Sequence, residues 1–145
     1  MDGTQPFAVA AACRDLVLRA AAAADAGDAS GLAALFTAKA VLERPNSPAL
    51  QSREMIRLAY AGRSPHRLTR HLVMNTLVET TGPTDARATS LVLLWSGNTA
   101  DAPGPHGHPA DPMQIIGEFH DAFVLTAEGW RIAHRKALFV LHSKV

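Results

Sequence analysis

The chain has 145 residues, of which 48% are apolar, and its formal net charge is +1 at pH 7. This length fits one domain that can bury its own core, and the apolar content excludes a disordered chain. The charges nearly balance and no stretch concentrates Lys or Arg, which argues against nucleic acid as a partner.

The single cysteine, Cys13, excludes an intrachain disulfide and favours a reducing compartment. It falls on a helical apolar stripe, where a small buried core residue is the expected role. The alanine-rich run Ala20–Ala24 is too short to span a membrane, and Asp2 without a basic segment does not fit a signal peptide. We therefore expect a cytoplasmic protein with no membrane partner.

Three helices are predicted in the first half of the chain. The first runs from about Phe7 to Ala26, where apolar residues recur at helical spacing. Asp28 or Ser30 caps a second, short helix, and Ser52 caps a third helix over Arg53–Ala61. The expected apolar faces of the first two helices are, in order, Val9, Cys13, Leu16, Val17, Ala20 and Ala24, and Leu32, Leu35 and Phe36. In the third helix Met55, Ile56 and Tyr60 are expected to be partly buried.

Five strands are predicted, and four of them fill the second half of the chain. The first is short, covers Lys39–Glu43 and is ended by Pro45. Between the third and fourth strands, the proline- and glycine-rich segment 96–112 reads as a mobile loop. The four long strands are His66–Thr80, Ala86–Trp95, Met113–Thr126 and Trp130–His142.

Helices followed by hairpin-connected strands are typical of an α+β fold, with the helices on one face of a sheet. Strands of ten or more residues are long for a small domain and have to curl. We predict a single domain over residues 1–145. Because its strands curl, we expect a curved antiparallel sheet that packs on the N-terminal helices and encloses a cone-shaped cavity with them.

Strand periodicity selects candidate residues on the first long strand. His71 and Asn75 share a face with Val73, because side chains alternate with period two. Such a mixed polar and apolar face suits a ligand pocket, where an imidazole can transfer protons near neutral pH. The residues alone leave a second interpretation open, in which His71 is simply hydrogen-bonded inside the core.

The third long strand offers a second candidate. Asp121 shares the more apolar face with Phe119 and is predicted to point inward, while the adjacent His120 points outward. Two roles stay open for Asp121: a general base with a raised pKa, or the buried partner of Arg131 or Arg135. A β-bulge, for which Gly117 is a plausible place, would alter these directions.

Other polar residues give weaker signals. Tyr60 is the only tyrosine and could orient a substrate oxygen, or could be a core residue with its hydroxyl at the edge. His106 and His108 lack a third ligand and a rigid frame, so we predict no metal site. No phosphate-binding loop or other cofactor motif occurs, so no cofactor is expected.

Four stretches, in their order and spacing, resemble the NTF2-like superfamily and, more narrowly, its SnoaL-like group of polyketide cyclases, scytalone dehydratase and ketosteroid isomerase-type proteins. The resemblance covers nearly the whole chain. The stretches are the corner Asp25–Asp28 with Leu32–Phe36, then Thr69–Asn75, Gly117–Asp121 and Gly129–Arg135.

The resemblance implies that Asp25 and His71 face each other inside the cavity, as in dehydratase-like members. Two features depart from that pattern: Ala24 replaces a tyrosine, and the strand Ala86–Trp95 lacks a second cavity histidine. Asp25 by itself could equally be a solvated helix end. A carboxylate there opposes the helix dipole, and orienting His71 would explain its position.

These residues support two classes of function. One is a lyase, isomerase or cyclase that uses proton transfer on a small apolar or cyclic molecule, without a cofactor. In that case His71, Asp25 and Asp121 are catalytic, and the substrate contacts are Asn75, Tyr60, Phe119 and Val73.

The other class has no catalysis. It is a ligand-binding or assembly module of the same fold, or an accessory subunit similar to the small subunit of aromatic-ring dioxygenases. In either class we expect a homodimer formed through the open face of the sheet, where Leu91, Leu93 and Trp95 are candidate contacts.

Overall fold

The computed structural model describes residues 5–144. Three helices, α1 (Gln5–Ala26), α2 (Ala29–Ala33) and α3 (Arg53–Ala61), pack on one five-stranded sheet. Its strands are β1 (Phe36–Glu43), β2 (Arg67–Gly82), β3 (Asp85–Asn98), β4 (Met113–Thr126) and β5 (Gly129–Lys144). The predicted α+β fold, with a curved sheet on N-terminal helices, is confirmed. The segment containing Asp2, on which the signal-peptide prediction depends, lies outside the described residues.

The strand order is β1-β5-β4-β3-β2. The three pairings among β2 to β5 are antiparallel, as hairpin connections require, whereas β1 pairs with β5 in parallel. The sheet is therefore mixed and not antiparallel throughout. The chain reaches β1 from the helices and not from a hairpin, so no tight turn forces an antiparallel pairing there.

The helix ends follow the predicted capping residues. The carboxylate of Asp28 accepts a hydrogen bond of 2.9 Å from Gly31 N and begins α2, and Ser52 Oγ accepts one of 3.0 Å from Met55 N at the start of α3. Gly27, at φ 71°, ends α1 in the left-handed region that glycine adopts without strain. These local signals fix the corner that follows Asp25.

Two side chains of the helical region can be compared with the prediction, and one of them departs from it. Phe36, assigned to the second helix, is fully buried but begins β1, since α2 ends at Ala33. Met55 is 46% exposed, because the short α3 turns only one narrow face, centred on Ile56, toward the core.

The core lies between α1 and the concave face of the sheet. Its largest fully buried side chains are Phe36, Ile56, Phe123 and Ile132. Cys13 is also fully buried, and burial together with the negative charge of Asp121 raises the pKa of its thiol to about 11. A thiol held neutral in this way is a poor nucleophile, which agrees with a structural role.

Several irregularities in strand pairing influence which side chains face the core, and three of them affect the candidate residues. On β2 an extra residue falls between Val73 and Thr76, and on β5 the register shifts opposite Gly117 and again between the partners of Ala122 and Phe123. Each shift exchanges the two faces of the strand beyond it. Gly117 itself has no room for a side chain, because a Cβ there would lie 2.6 Å from the carbonyl oxygen of Leu138.

None of the helices among residues 5–144 combines the length and the apolar character needed to cross a lipid bilayer.

Candidate active site

A pocket of about 370 Å³ opens between the helices and the concave face of the sheet. This volume is near the lower end of the range for small-molecule sites. Most of its wall is apolar, and its polar side chains include one histidine, one tyrosine and four arginines. The lining residues that matter for the chemistry are His71, Tyr60, Phe119, Arg135, Arg44, Arg63 and Arg67.

Asp25 and His71 form a hydrogen-bonded pair at the wall of this pocket. Asp25 Oδ1 lies 2.6 Å from His71 Nδ1, and Oδ2 accepts a 2.9 Å bond from the backbone N–H of His71. Thr69 Oγ1 donates a third bond of 2.9 Å to Oδ1. Both side chains of the pair are largely buried, with 13% of Asp25 and 19% of His71 exposed. The last turn of α1 is thereby joined to the beginning of β2.

Hydrogen bonds stabilise the ionised form of the Asp25 carboxyl group, although the side chain is largely buried. Burial raises the pKa of its carboxyl group, but the bonds from the His71 ring, the His71 backbone and Thr69 outweigh burial, so the net pKa is below its ordinary value. Asp25 is therefore an anion at neutral pH and acts as a hydrogen-bond acceptor.

This contact assigns the tautomer of His71. An ionised carboxylate only accepts, so Nδ1 carries a proton and the neutral ring has its lone pair at Nε2. Among the described residues, Nε2 has no hydrogen-bond partner. His71 can therefore accept a proton at Nε2 from a molecule in the pocket, and the adjacent carboxylate would stabilise the imidazolium that results.

Asp121 occupies a different environment from Asp25. Its side chain is fully buried, and its two oxygens lie 2.6 and 3.0 Å from Nε and Nη2 of Arg135. The sequence left open a general base or a buried ion pair, and the geometry is that of a buried ion pair. The partner of Asp121 is Arg135 and not Arg131. Arg135 lines the pocket and Asp121 does not, so Asp121 lies behind the arginine as seen from the pocket.

Phe119 connects the two charged groups. Its ring lies 6.4 Å from the His71 ring, and the guanidinium carbon of Arg135 lies 4.1 Å from its centroid, within cation–π distance. Phe119 therefore lines the pocket between the histidine and the arginine. His120, on the opposite face, bonds to Glu118 and is 45% exposed.

Two of the predicted substrate contacts, Asn75 and Val73, are not part of the pocket lining. Asn75 is exposed and does not line the pocket, so the expectation that it shares a face with His71 is wrong. The cause is the bulge between Val73 and Thr76, after which Thr76 takes the inward position and its hydroxyl bonds to Ser90. Val73 keeps the expected face but packs against the core, outside the pocket lining.

Tyr60 lines the pocket from the last turn of α3. The pocket arginines are the lining residues that sequence reasoning missed. Arg63 and Arg67 flank the short connection between α3 and β2, whereas Arg44 follows β1, and no sequence motif joins the three. Only Arg135 had a sequence signal, as a cation on the strand that pairs with Asp121.

Comparisons with known proteins identify the family of the chain. The family model of the SnoaL-like domain matches residues 7–136, and the chain belongs to this family. No curated protein sequence matches the chain.

Solved structures with the same fold include proteins named for different reactions. A candidate scytalone dehydratase from Novosphingobium aromaticivorans is 17% identical, with a TM-score of 0.80 over 97% of this chain and 89% of that one. A type 2 hexachlorocyclohexane dehydrochlorinase, LinA, is 13% identical, with a TM-score of 0.81 over 97% and 90%. ActVI-ORFA from Streptomyces coelicolor is 20% identical, with a TM-score of 0.72 over 91% and 97%. At these identities the likeness shows the fold alone.

Proposed function

We propose that this protein is a cofactor-independent lyase, isomerase or cyclase that acts on a small cyclic molecule, with His71 as the general base. The observation that carries the proposal is the Asp25–His71 pair at the wall of a largely apolar pocket. A buried carboxylate bonded to one ring nitrogen orients the imidazole and leaves the other nitrogen for proton transfer.

The proposed step begins when His71 Nε2 removes a proton from a carbon next to an electron-withdrawing group. The C–H bond breaks, and its electron pair forms a carbon–carbon double bond. In an elimination a leaving group departs from the neighbouring carbon with its own bonding pair. In an isomerisation the charge moves onto a carbonyl oxygen, and the proton returns to another carbon.

Arg135 is the proposed site of charge stabilisation. Asp121 holds Nε and Nη2, which leaves Nη1 without a hydrogen-bond partner among the described residues. A guanidinium fixed in this way beside the pocket would stabilise a developing oxyanion or a departing anion. Asp121 is accordingly proposed as a positioning residue and not as the base. Phe119 and Tyr60 are proposed substrate contacts.

Elimination has additional support from the names of two structural neighbours, a dehydratase and a dehydrochlorinase. Two differences argue against scytalone-type dehydration in particular: Ala24 stands where that pattern has a tyrosine, and β3 lacks the second cavity histidine.

The test is the exchange of carbon-bound hydrogen for deuterium, followed by NMR in D₂O over a panel of cyclic ketones and β-hydroxy ketones. Exchange detects proton removal even where the complete reaction is not known. The variants are His71→Gln and Asp25→Asn, and the matched control is His120→Gln, which removes an exposed histidine on the outer face.

We expect His71→Gln to reduce the exchange rate by about 10²-fold or more, as is usual for the loss of a general base, and His120→Gln to leave it unchanged. Equal rates in the wild type and His71→Gln would contradict the proposal. Tight binding without any exchange would favour the non-catalytic ligand-binding module. The accessory-subunit hypothesis stays a prediction.

We also propose that the chain forms a homodimer through the outer face of the sheet. Leu72, Met74 and Trp95 are 41–49% exposed there, beside the half-buried Leu93. Light scattering over a range of concentrations tests this, with Leu72→Glu expected to give monomers and Leu18→Glu, on an exposed part of α1, to leave the dimer intact. A monomeric wild type would contradict it.

A further inference from the structure

Three arginines line the pocket, and the proposed proton transfer uses none of them. Arg44 follows β1, Arg63 follows α3 and Arg67 begins β2. Arg63 and Arg67 belong to the short connection between α3 and β2, and tertiary packing brings Arg44 to them from the end of β1.

Tyr60 is the centre of this cluster. The guanidinium carbons of Arg44 and Arg63 lie 5.9 and 5.2 Å from the centroid of its ring. A neutral aromatic ring attracts cations but does not neutralise them. The phenol side chain therefore positions two guanidinium groups without satisfying their charge.

The cluster lacks the carboxylate partners that other arginines of the chain have. Five arginines, Arg19, Arg57, Arg87, Arg131 and Arg135, each form an ion pair, and Arg14, Arg53 and Arg70 donate hydrogen bonds to backbone carbonyl oxygens. Within residues 5–144, Arg44, Arg63 and Arg67 form none, and Arg44 Nε is buried without a hydrogen-bond partner. A buried donor left unsatisfied is costly, and an acceptor supplied by a ligand would remove that cost.

The positive charges around Arg63 also favour the binding of an anion. Burial lowers the pKa of Arg63, and the neighbouring charges of Arg67 and Arg44 lower it further, although Tyr60 and Asp25 act in the opposite sense. Like charges held close together in a partly desolvated site repel, so the free protein carries an unfavourable interaction that a bound anion would relieve.

We propose that this cluster, Arg44, Arg63 and Arg67 with Tyr60, binds a carboxylate of the substrate, so that the substrate class is a small cyclic or aromatic carboxylic acid. The inference rests on the proposed function for the reaction, but binding of the acid does not depend on turnover. A carboxylate fits the planar guanidinium fork with two parallel hydrogen bonds. The apolar wall then accommodates the ring of the acid between these arginines and His71, in a pocket of about 370 Å³.

The experiment compares matched acids and amides by isothermal titration calorimetry. The probes are benzoate, cyclohexanecarboxylate and naphthoate, each with its neutral amide of the same shape, and phenyl phosphate as a second anion. The variants are Arg63→Gln and Arg44→Gln. The control is Arg57→Gln, which removes an exposed cation of α3 that pairs with Glu54 outside the pocket.

We expect at least one acid to bind about tenfold or more tightly than its amide, because charge-assisted hydrogen bonds exceed neutral ones by this margin or more. Arg63→Gln and Arg44→Gln should remove this preference, and Arg57→Gln should keep it. Circular dichroism and thermal unfolding of each variant verify that the fold is retained.

Three results would overturn the inference: no acid binds, acids and amides bind equally, or the preference survives in both pocket variants. Tighter binding of phenyl phosphate than of every carboxylate would overturn the choice of carboxylate. Failure of the proposed reaction is seen separately, because His71→Gln is expected to reduce the exchange rate and to leave the preference for acids in place. A carboxylate preference in a chain that catalyses no exchange would support this site and contradict the catalytic proposal.

Discussion

The carboxylate of Asp25 and the imidazole of His71 meet with Oδ1 2.6 Å from Nδ1, although 46 residues separate them in the chain. The same carboxylate accepts the backbone N–H of His71 and the hydroxyl of Thr69. One side chain thus orients the candidate base and also joins α1 to β2. Its substitution is expected to affect both the chemistry and the stability.

The first prediction concerns the pH dependence of stability. Because the pKa of Asp25 is lowered in the folded state, its contribution is fully present above its unfolded value and is lost as pH falls through the lower folded value. Asp25→Asn should reduce the free energy of unfolding by about 1–3 kcal/mol at neutral pH, as for hydrogen bonds to a charged group. Urea unfolding from about pH 6 to about pH 3 measures the difference, which should shrink at the acid end.

The control for this prediction is Asp15→Asn, which changes an aspartate on the exposed side of the same helix, 57% exposed. It should have little effect at any pH, since exposed ion pairs contribute little. A constant difference between wild type and Asp25→Asn over the whole pH range would contradict the lowered pKa.

The second prediction concerns tautomers. The neutral ring of His71 should carry its proton on Nδ1, because Asp25 accepts from that nitrogen. His120 should show the opposite tautomer, because Glu118 lies 2.8 Å from its Nε2. Long-range proton–nitrogen NMR of the imidazole rings distinguishes the two in one spectrum. In Asp25→Asn the preference at His71 should weaken while that at His120 persists; an unchanged His71 signal would show that Asp25 does not set the tautomer.

The third prediction concerns the buried pair of Asp121 and Arg135. Asp121→Ala leaves a guanidinium that is only 7% exposed without its partner, which should cost about 3–5 kcal/mol of unfolding free energy. Glu79→Ala, which breaks the exposed pair with Arg87, should cost less than about 1 kcal/mol. Chemical denaturation measures both.

A double variant, Asp121→Leu with Arg135→Met, separates the effect of an unpaired buried charge on the unfolding free energy from the effect of lost packing. It should recover much of the stability lost in Asp121→Ala, because no unpaired charge remains. If Asp121→Ala were as mild as Glu79→Ala, the ion pair would not be a structural element of the fold.

The fourth prediction concerns Gly117. A methyl group there would lie 2.6 Å from the carbonyl oxygen of Leu138, so Gly117→Ala has to move β4 or β5 and should cost about 1–3 kcal/mol. Gly104→Ala is the matched control, since nothing lies within 4 Å of its added Cβ, and should be nearly neutral. Equal melting temperatures of the two variants would mean that the strands separate there at little cost.

Local sequence signals determined the order and type of the helices and strands, and the limits of two of them. The spacing of apolar residues and the Ser52 cap placed α3 at its observed bounds, and period-two alternation placed β4 at its observed bounds. These features depend on neighbouring residues, which is why pattern reasoning reaches them. The pairing of Asp25 with His71 followed from family resemblance, and the cytoplasmic location stays a prediction.

Tertiary structure alone decided the directions of side chains beyond a bulge and the partners brought together from distant segments. An uninterrupted hairpin would pair Asp121 with His134, and the extra residue in β5 pairs it with Arg135 instead. A bulge in β2 likewise turns Asn75 away from the pocket. One inserted residue reverses every following side chain, and although Gly117 indicated a bulge on β4, nothing in the local pattern marks these two. The arginine cluster has a similar origin, because the fold brings Arg44 from the end of β1 to Arg63 and Arg67 in the connection between α3 and β2.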